Sequence, residues 1–162
     1  MARRVYVAVV GPGAEPAAAA GSEHEVLAEA VGRGLAESGA TVVCGGLGGV
    51  MAAACRGAHA GGGLTVGILP GLDRTAANRW VDVAVPTGLG EARNVLVVRA
   101  ADAVVAVGGG YGTLSEVAFA LKTGTPVVGL HSWGIEGTVE VDSAEEAVAA
   151  ALRLAGTPHT QA

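Results

Sequence analysis

The stretch Ala103-Val104-Val105-Ala106-Val107-Gly108-Gly109-Gly110-Tyr111-Gly112-Thr113-Leu114-Ser115-Glu116 decides the fold. An uninterrupted apolar run of five residues reads as a buried strand. The glycines that follow read as a tight loop, and Val117-Ala118-Phe119-Ala120-Leu121 as the body of a helix. Glycine lets a backbone turn sharply and approach a ligand closely. The free N–H groups and positive dipole end of the following helix favour an anion, typically a phosphate. Glycines 108, 109, 110 and 112, with Thr113, are therefore expected to hold a phosphorylated ligand.

Working outward, strand-like runs alternate with helical patterns along most of the chain. Strands are expected at residues 5–10, 41–44, 64–69, 81–85, 103–107 and 126–130. Helices are expected within 22–38, at 50–59, at 91–99, after the loop at 108–112, and at 144–154. Ser143 and Glu146 have the spacing of a capping box for the last of these. Gly124 and Pro126 stop the helix before the last strand. The alternation predicts an α/β fold, a single Rossmann-like three-layer domain over residues 1–155. Its sheet is mostly parallel, with helices on both faces. Residues 156–162 read as a disordered tail. In such a sheet the ligand crevice lies at the carboxyl ends of the strands. Three glycine loops fall there: Gly11-Pro12-Gly13, Gly45-Gly46-Leu47-Gly48-Gly49 and the loop at 108–112. Gly11, Gly45 and Gly46 join the candidate ligand residues on that ground.

Composition narrows the function classes. The 162 residues are 51% hydrophobic and 15% charged, so the chain is not of the disordered type. No apolar run approaches the roughly 20 residues of a spanning helix. Met1-Ala2-Arg3-Arg4 runs straight into a strand pattern, which is not the pattern of a signal peptide. Two cysteines without a CxxC spacing point to a cytoplasmic protein with neither disulfide framework nor zinc site. The four histidines show no ligand spacing, so no metal site is expected. His24 and His159 read as exposed. A net charge of −5 argues against nucleic acid as a partner.

The arrangement Gly109-Gly110-Tyr111-Gly112-Thr113-Leu114-Ser115-Glu116 resembles the Lonely Guy (LOG) family. Cys44-Gly45-Gly46-Leu47-Gly48-Gly49-Val50-Met51 is similar to that family's second glycine loop. Thr65-Val66-Gly67-Ile68-Leu69-Pro70-Gly71 is similar to its next strand and turn. Gly88-Leu89-Gly90-Glu91-Ala92-Arg93-Asn94 resembles a bacterial branch that includes the molybdenum cofactor carrier proteins. Here Gly108 and Asn94 stand where the cytokinin-activating enzymes carry Pro and Lys.

The resemblance implies one of two activities. LOG enzymes hydrolyse the N-glycosidic bond of a nucleoside 5′-monophosphate, and carry-over would make Arg93 and Glu116 catalytic. In the carrier branch the same loops, with Asn94, would hold a molybdenum cofactor or nucleotide without chemistry. Neither reading requires a resident cofactor. Both imply a small phosphorylated partner and a homodimer or higher homo-oligomer, and the apolar runs are too short for a membrane partner to be expected.

The residues alone leave several roles open. Thr113 and Glu116 have capping-box spacing, so Glu116 either caps its own helix or faces a ligand. Asn94 suits a helix start as well as a site. Met51 reads as core, Cys44 and Cys55 as small buried residues. Trp133, just past a strand end, suits either a pocket wall or a subunit contact.

Overall fold

The structure, a computed structural model, describes residues 3–14 and 21–157. The expected tail therefore lies outside the described residues from position 158 onward, as do Met1, Ala2 and His159. Seven strands, β1 (Tyr6–Val10), β2 (Thr41–Cys44), β3 (Thr65–Leu69), β4 (Val83–Pro86), β5 (Ala103–Val107), β6 (Val127–Leu130) and β7 (Val139–Val141), form one sheet. Its order is β4-β3-β2-β1-β5-β6-β7, and every neighbouring pair is parallel.

The side-chain period of two explains both layers. Along β1, Val7 and Val9 point to one face and Ala8 and Val10 to the other. The first face is covered by α1 (Glu23–Glu37), α2 (Val50–Ala60) and α5 (Ala144–Ala155) through Val31, Leu35, Ala54 and Ala151. The second is covered by α3 (Asn94–Arg99) and α4 (Tyr111–Thr123) through Val97, Val98, Val117 and Ala120. Small residues let the first pair of helices approach closely. A Cβ on Gly32 of α1 would lie 2.0 Å from the Ala54 carbonyl oxygen, and one on Gly57 of α2 1.9 Å from that of Glu29. Mid-helix glycine weakens a helix by roughly 1 kcal/mol relative to alanine. Here it is what allows the two backbones to touch.

Local signals account for the ends. Ser22 accepts from Glu25 N–H at 3.3 Å to start α1, and Ser143 from Glu146 N–H at 3.2 Å to start α5. In return Glu146 Oε2 accepts from Asp142 N–H at 3.0 Å, one residue before the capping-box position. Two expectations need correction, and one strand is additional. The predicted helix at 91–99 is a 3₁₀ turn over Gly90–Arg93 followed by α3. The fourth strand runs over Val83–Pro86 rather than 81–85, with Pro86 tolerated because β4 is an edge strand. Strand β7 has no counterpart in the sequence reading. It lies beside β6 without an intervening helix.

The sheet order reverses between β1 and β5. That switch point is where an open parallel sheet leaves a crevice beyond its carboxyl edge. The loops after β1 and β5 flank it, and the loop after β2 lies next to them.

Candidate functional site

A cleft of about 310 Å³ opens at that edge. Its walls include Gly11, Pro12 and Gly13 after β1, Leu47 and Met51 from the β2 loop and α2, and Glu91, Arg93 and Asn94 before and in α3. Gly109, Gly110, Gly112, Thr113 and Glu116 complete it. The structure thus brings Gly11, Arg93, Asn94, Gly109, Gly110, Gly112, Thr113 and Glu116 into one site.

Three of the sequence-predicted glycines do not line it. Gly45 lies behind it, where a Cβ would sit 2.6 Å from an Arg93 guanidinium nitrogen. Gly46 packs on Leu69, and Gly108 on the ring of His24, which is half-buried rather than exposed. Pro12, Gly13, Leu47, Met51 and Glu91 line the cleft without having been singled out as ligand residues. Met51 is a wall residue, not core. For Glu91 a signal existed: it stands two residues before Arg93 in the same short motif.

Helix α4 begins at the cleft. Gly110 is its N-cap and supplies no side-chain capping bond. The first helical donor is Leu114 N–H, onto Gly110 O at 2.8 Å. The N–H groups of Gly112 and Thr113 therefore have no acceptor within the helix. Thr113 is 3% exposed, and its Oγ1 is buried without a hydrogen-bond partner among the described residues. A buried hydroxyl left unsatisfied costs about 1–3 kcal/mol. Because α4 starts two residues before Thr113, the capping box of Thr113 and Glu116 does not form. Glu116 is free to face the cleft.

Glu116 is buried, 7% exposed, one turn further along. Burial pushes its carboxyl up to about 8, against the opposing pull of Arg93, with Cys44 and Glu91 adding to the rise. At neutral pH it therefore holds its proton and acts as a hydrogen-bond donor as well as an acceptor.

Arg93 is committed elsewhere. Its Nε donates to Ile68 O at 2.9 Å, one terminal nitrogen to Asn94 Oδ1, and the other to Gly45 O at 3.4 Å. Asn94 in turn donates through Nδ2 to Ser115 Oγ at 3.3 Å, and Ser115 Oγ to Gly112 O at 2.6 Å. This chain of bonds ties β3, the β2 loop, α3 and the first turn of α4 together. Arg93 and Asn94 brace the cleft, and two guanidinium N–H groups of Arg93 remain for a ligand. Under the β2 loop, the thiols of Cys44 and Cys55 lie 3.4 Å apart, and Gly46 N–H donates to Cys44 at 3.3 Å. That shared bond lowers the Cys44 thiol and raises that of Cys55. Asn78 anchors the same loop by donating to Leu47 O at 2.9 Å. Among the described residues, no group of three metal-ligating side chains is found.

The model of the SLOG cluster4 family matches residues 4–159. The chain belongs to the SLOG cluster4 family. This SLOG chain is 46% identical to a protein of Archaeoglobus fulgidus over 123 residues, 75% of this chain and 81% of that one. It is 34% identical over 99 residues to a probable cytokinin riboside 5′-monophosphate phosphoribohydrolase of Oryza sativa subsp. japonica. That match spans 59% of this chain but 40% of the rice protein.

Among solved structures, it is similar to the molybdenum cofactor binding protein of Rippkaea orientalis. The TM-score is 0.85 at 34% identity, covering 94% of this chain and 98% of that one. The molybdenum cofactor carrier protein of Chlamydomonas reinhardtii gives a TM-score of 0.84 at 32% identity, covering 96% and 100%. The LOG-like resemblance and the Rossmann-like α/β fold expected from the sequence are thus both met. Among the described residues, no helix is long and apolar enough to cross a membrane.

Proposed function

We propose that the cleft binds a small phosphorylated ligand bearing a flat heteroaromatic ring, and that the protein carries a pterin-based molybdenum cofactor. The observation that carries this reading is the buried, unpartnered Thr113 hydroxyl beside the free N–H groups of α4. A phosphate at that place satisfies the hydroxyl and the N–H groups at once and meets the positive end of the helix. The protonated Glu116 donates a further hydrogen bond. Among the described residues no cysteine or histidine lines the cleft, which suits a ligand whose own sulfur atoms hold the metal.

Three features favour carrying over hydrolysis. Three of the five N–H groups of Arg93 are taken by carbonyl oxygens, and a neutral Glu116 does not offset the positive charge of an oxocarbenium-like state. Likeness to the two cofactor-binding proteins also extends over nearly the whole chain. One observation favours the other activity: a buried acid with a raised pKa is suited to protonate a departing base. Under that reading the protein cleaves nucleoside 5′-monophosphates to base and ribose 5-phosphate.

The protein purified from a host that makes the molybdenum cofactor decides between them. Carrying predicts co-purifying pterin and molybdenum, lost in Thr113→Val, and no base released from a nucleotide panel. Release of base that disappears in Glu116→Gln instead establishes hydrolysis. We place the protein in the cytoplasm on its cysteine usage and propose a homodimer, whose molar mass light scattering reads.

A further inference from the structure

We infer that Trp133 and Tyr111 form an aromatic wall on which the flat ring of the ligand stacks, an inference that rests on the phosphate seat proposed above. The chain has two Trp, two Tyr and one Phe in 162 residues, so aromatic side chains are scarce. Two of these five meet beside the glycines of the cleft, where Trp133 bonds Gly110 O, and neither fills the core. Tyr111, between the wall residues Gly110 and Gly112, is 86% exposed, and Trp133 is 44% exposed. Their rings stack at 28° with centroids 6.3 Å apart.

The indole is held in place. Trp133 Nε1–H donates at 3.2 Å to Gly110 O, the carbonyl that also accepts the first helical bond of α4. A Cβ on Gly109 would lie 3.3 Å from that same Nε1 and press the indole away. The loop after β6 turns through His131, whose φ of 52° makes it the one positive-φ residue other than glycine among those described. Such a conformation is uncommon for a residue with a Cβ and marks a segment whose course is imposed. Here it leads into the residues that set Trp133 against the glycine loop.

The seat for the phosphate and the wall for the ring meet at Gly110, whose Cβ position is 4.0 Å from Thr113 Oγ1. The exposed ring faces are uncharged and read shape rather than a hydrogen-bond pattern. The wall therefore accepts purine and pterin rings alike and gains nothing from a sugar phosphate without a ring.

Guanosine 5′-monophosphate, whose base shares the aminopyrimidinone ring of pterins, and ribose 5-phosphate are the probes. Their affinities are measured by calorimetry for the unaltered protein, Trp133→Ala, Trp133→Phe and Tyr111→Ala. The nucleotide is expected to bind about tenfold more tightly than the sugar phosphate, in line with one stacked base. Trp133→Ala should remove most of that advantage and Tyr111→Ala part of it, with ribose 5-phosphate affinity within about twofold of unaltered, and Trp133→Phe should restore it. In a Trp80→Phe background the nucleotide should quench Trp133 emission.

Unchanged nucleotide affinity in Trp133→Ala, or its loss in Met51→Ala instead, places the ring elsewhere and overturns the wall while leaving the phosphate seat standing. Equal affinity of the unaltered protein for the two probes does the same. Failure of both probes to bind the unaltered protein removes the seat itself, and the wall with it.

Discussion

The loops after β2 and β5 are both glycine-rich, yet their glycines do opposite things. In the β2 loop the space for a side chain is already taken. A Cβ on Gly45 would meet Arg93 and Met51 within 2.7 Å, and one on Gly49 would meet Pro12 O and the Gly13 carbonyl carbon at 2.5 Å. In the β5 loop Gly108 and Gly109 pack on His24 and Trp133, but the space at Gly110 and Gly112 is open. A Cβ on Gly112 meets nothing within 4 Å, and one on Gly110 only Thr113 Oγ1 at 4.0 Å. The first loop is packed and supports the site from behind. The second leaves room for a ligand that the chain itself does not fill. A run of glycines is thus not evidence of binding until the space around each one is known.

Substitutions can break this contrast, and the largest effect is expected in the packed loop. Gly49 also has φ of 65° with ψ of −131°, a backbone shape open to little besides glycine. Gly49→Ala should destabilise the fold by on the order of 3 kcal/mol, read from the urea midpoint. A shift below about 1 kcal/mol would mean that the loop is not packed as described.

Next comes the pH dependence set by Glu116, at the open side. Its carboxyl is raised in the fold from 4.5 to about 8, so the folded chain keeps a proton that the unfolded chain releases. Stability should therefore fall as pH rises from about 4.5 through about 8, by on the order of a few kcal/mol, and level off above. Glu116→Gln should flatten that slope; an unchanged slope would assign it to another group. The smallest effect belongs to Gly112→Ala, which should leave stability within about 1 kcal/mol, on the stabilising side, because alanine is the better helix former. The sign difference between the two alanine substitutions is the sharpest form of the contrast.

How far the sequence could be read follows the same division between local and distant causes. Strands β1, β2, β3, β5 and β6 and the long helices rest on local apolar period and on stops such as Gly124. They lie within a residue or two of where the sequence puts them. Strand β7 is three residues long, half-exposed and separated from β6 by no helix, so it has neither the length nor the alternation with helices that reveals the others. The roles in the cleft are less local. Nothing within reach of Arg93 along the chain shows that its guanidinium will meet Ile68 O and Gly45 O, 25 and 48 residues away. The capping-box spacing of Thr113 and Glu116 is a local signal overridden because α4 begins at Tyr111. The orphaned hydroxyl that results becomes visible only once the helix start is known.

The proposed phosphate seat turns on the Thr113 hydroxyl, buried without a partner among the described residues. Thr113→Val keeps the shape and removes the hydroxyl, and urea unfolding and calorimetric titration with ribose 5-phosphate on the same preparation read both consequences. The variant should be about 1 kcal/mol more stable than the unaltered protein and bind the sugar phosphate at least about tenfold more weakly. A variant that loses stability and keeps its affinity would show that no phosphate sits on this hydroxyl.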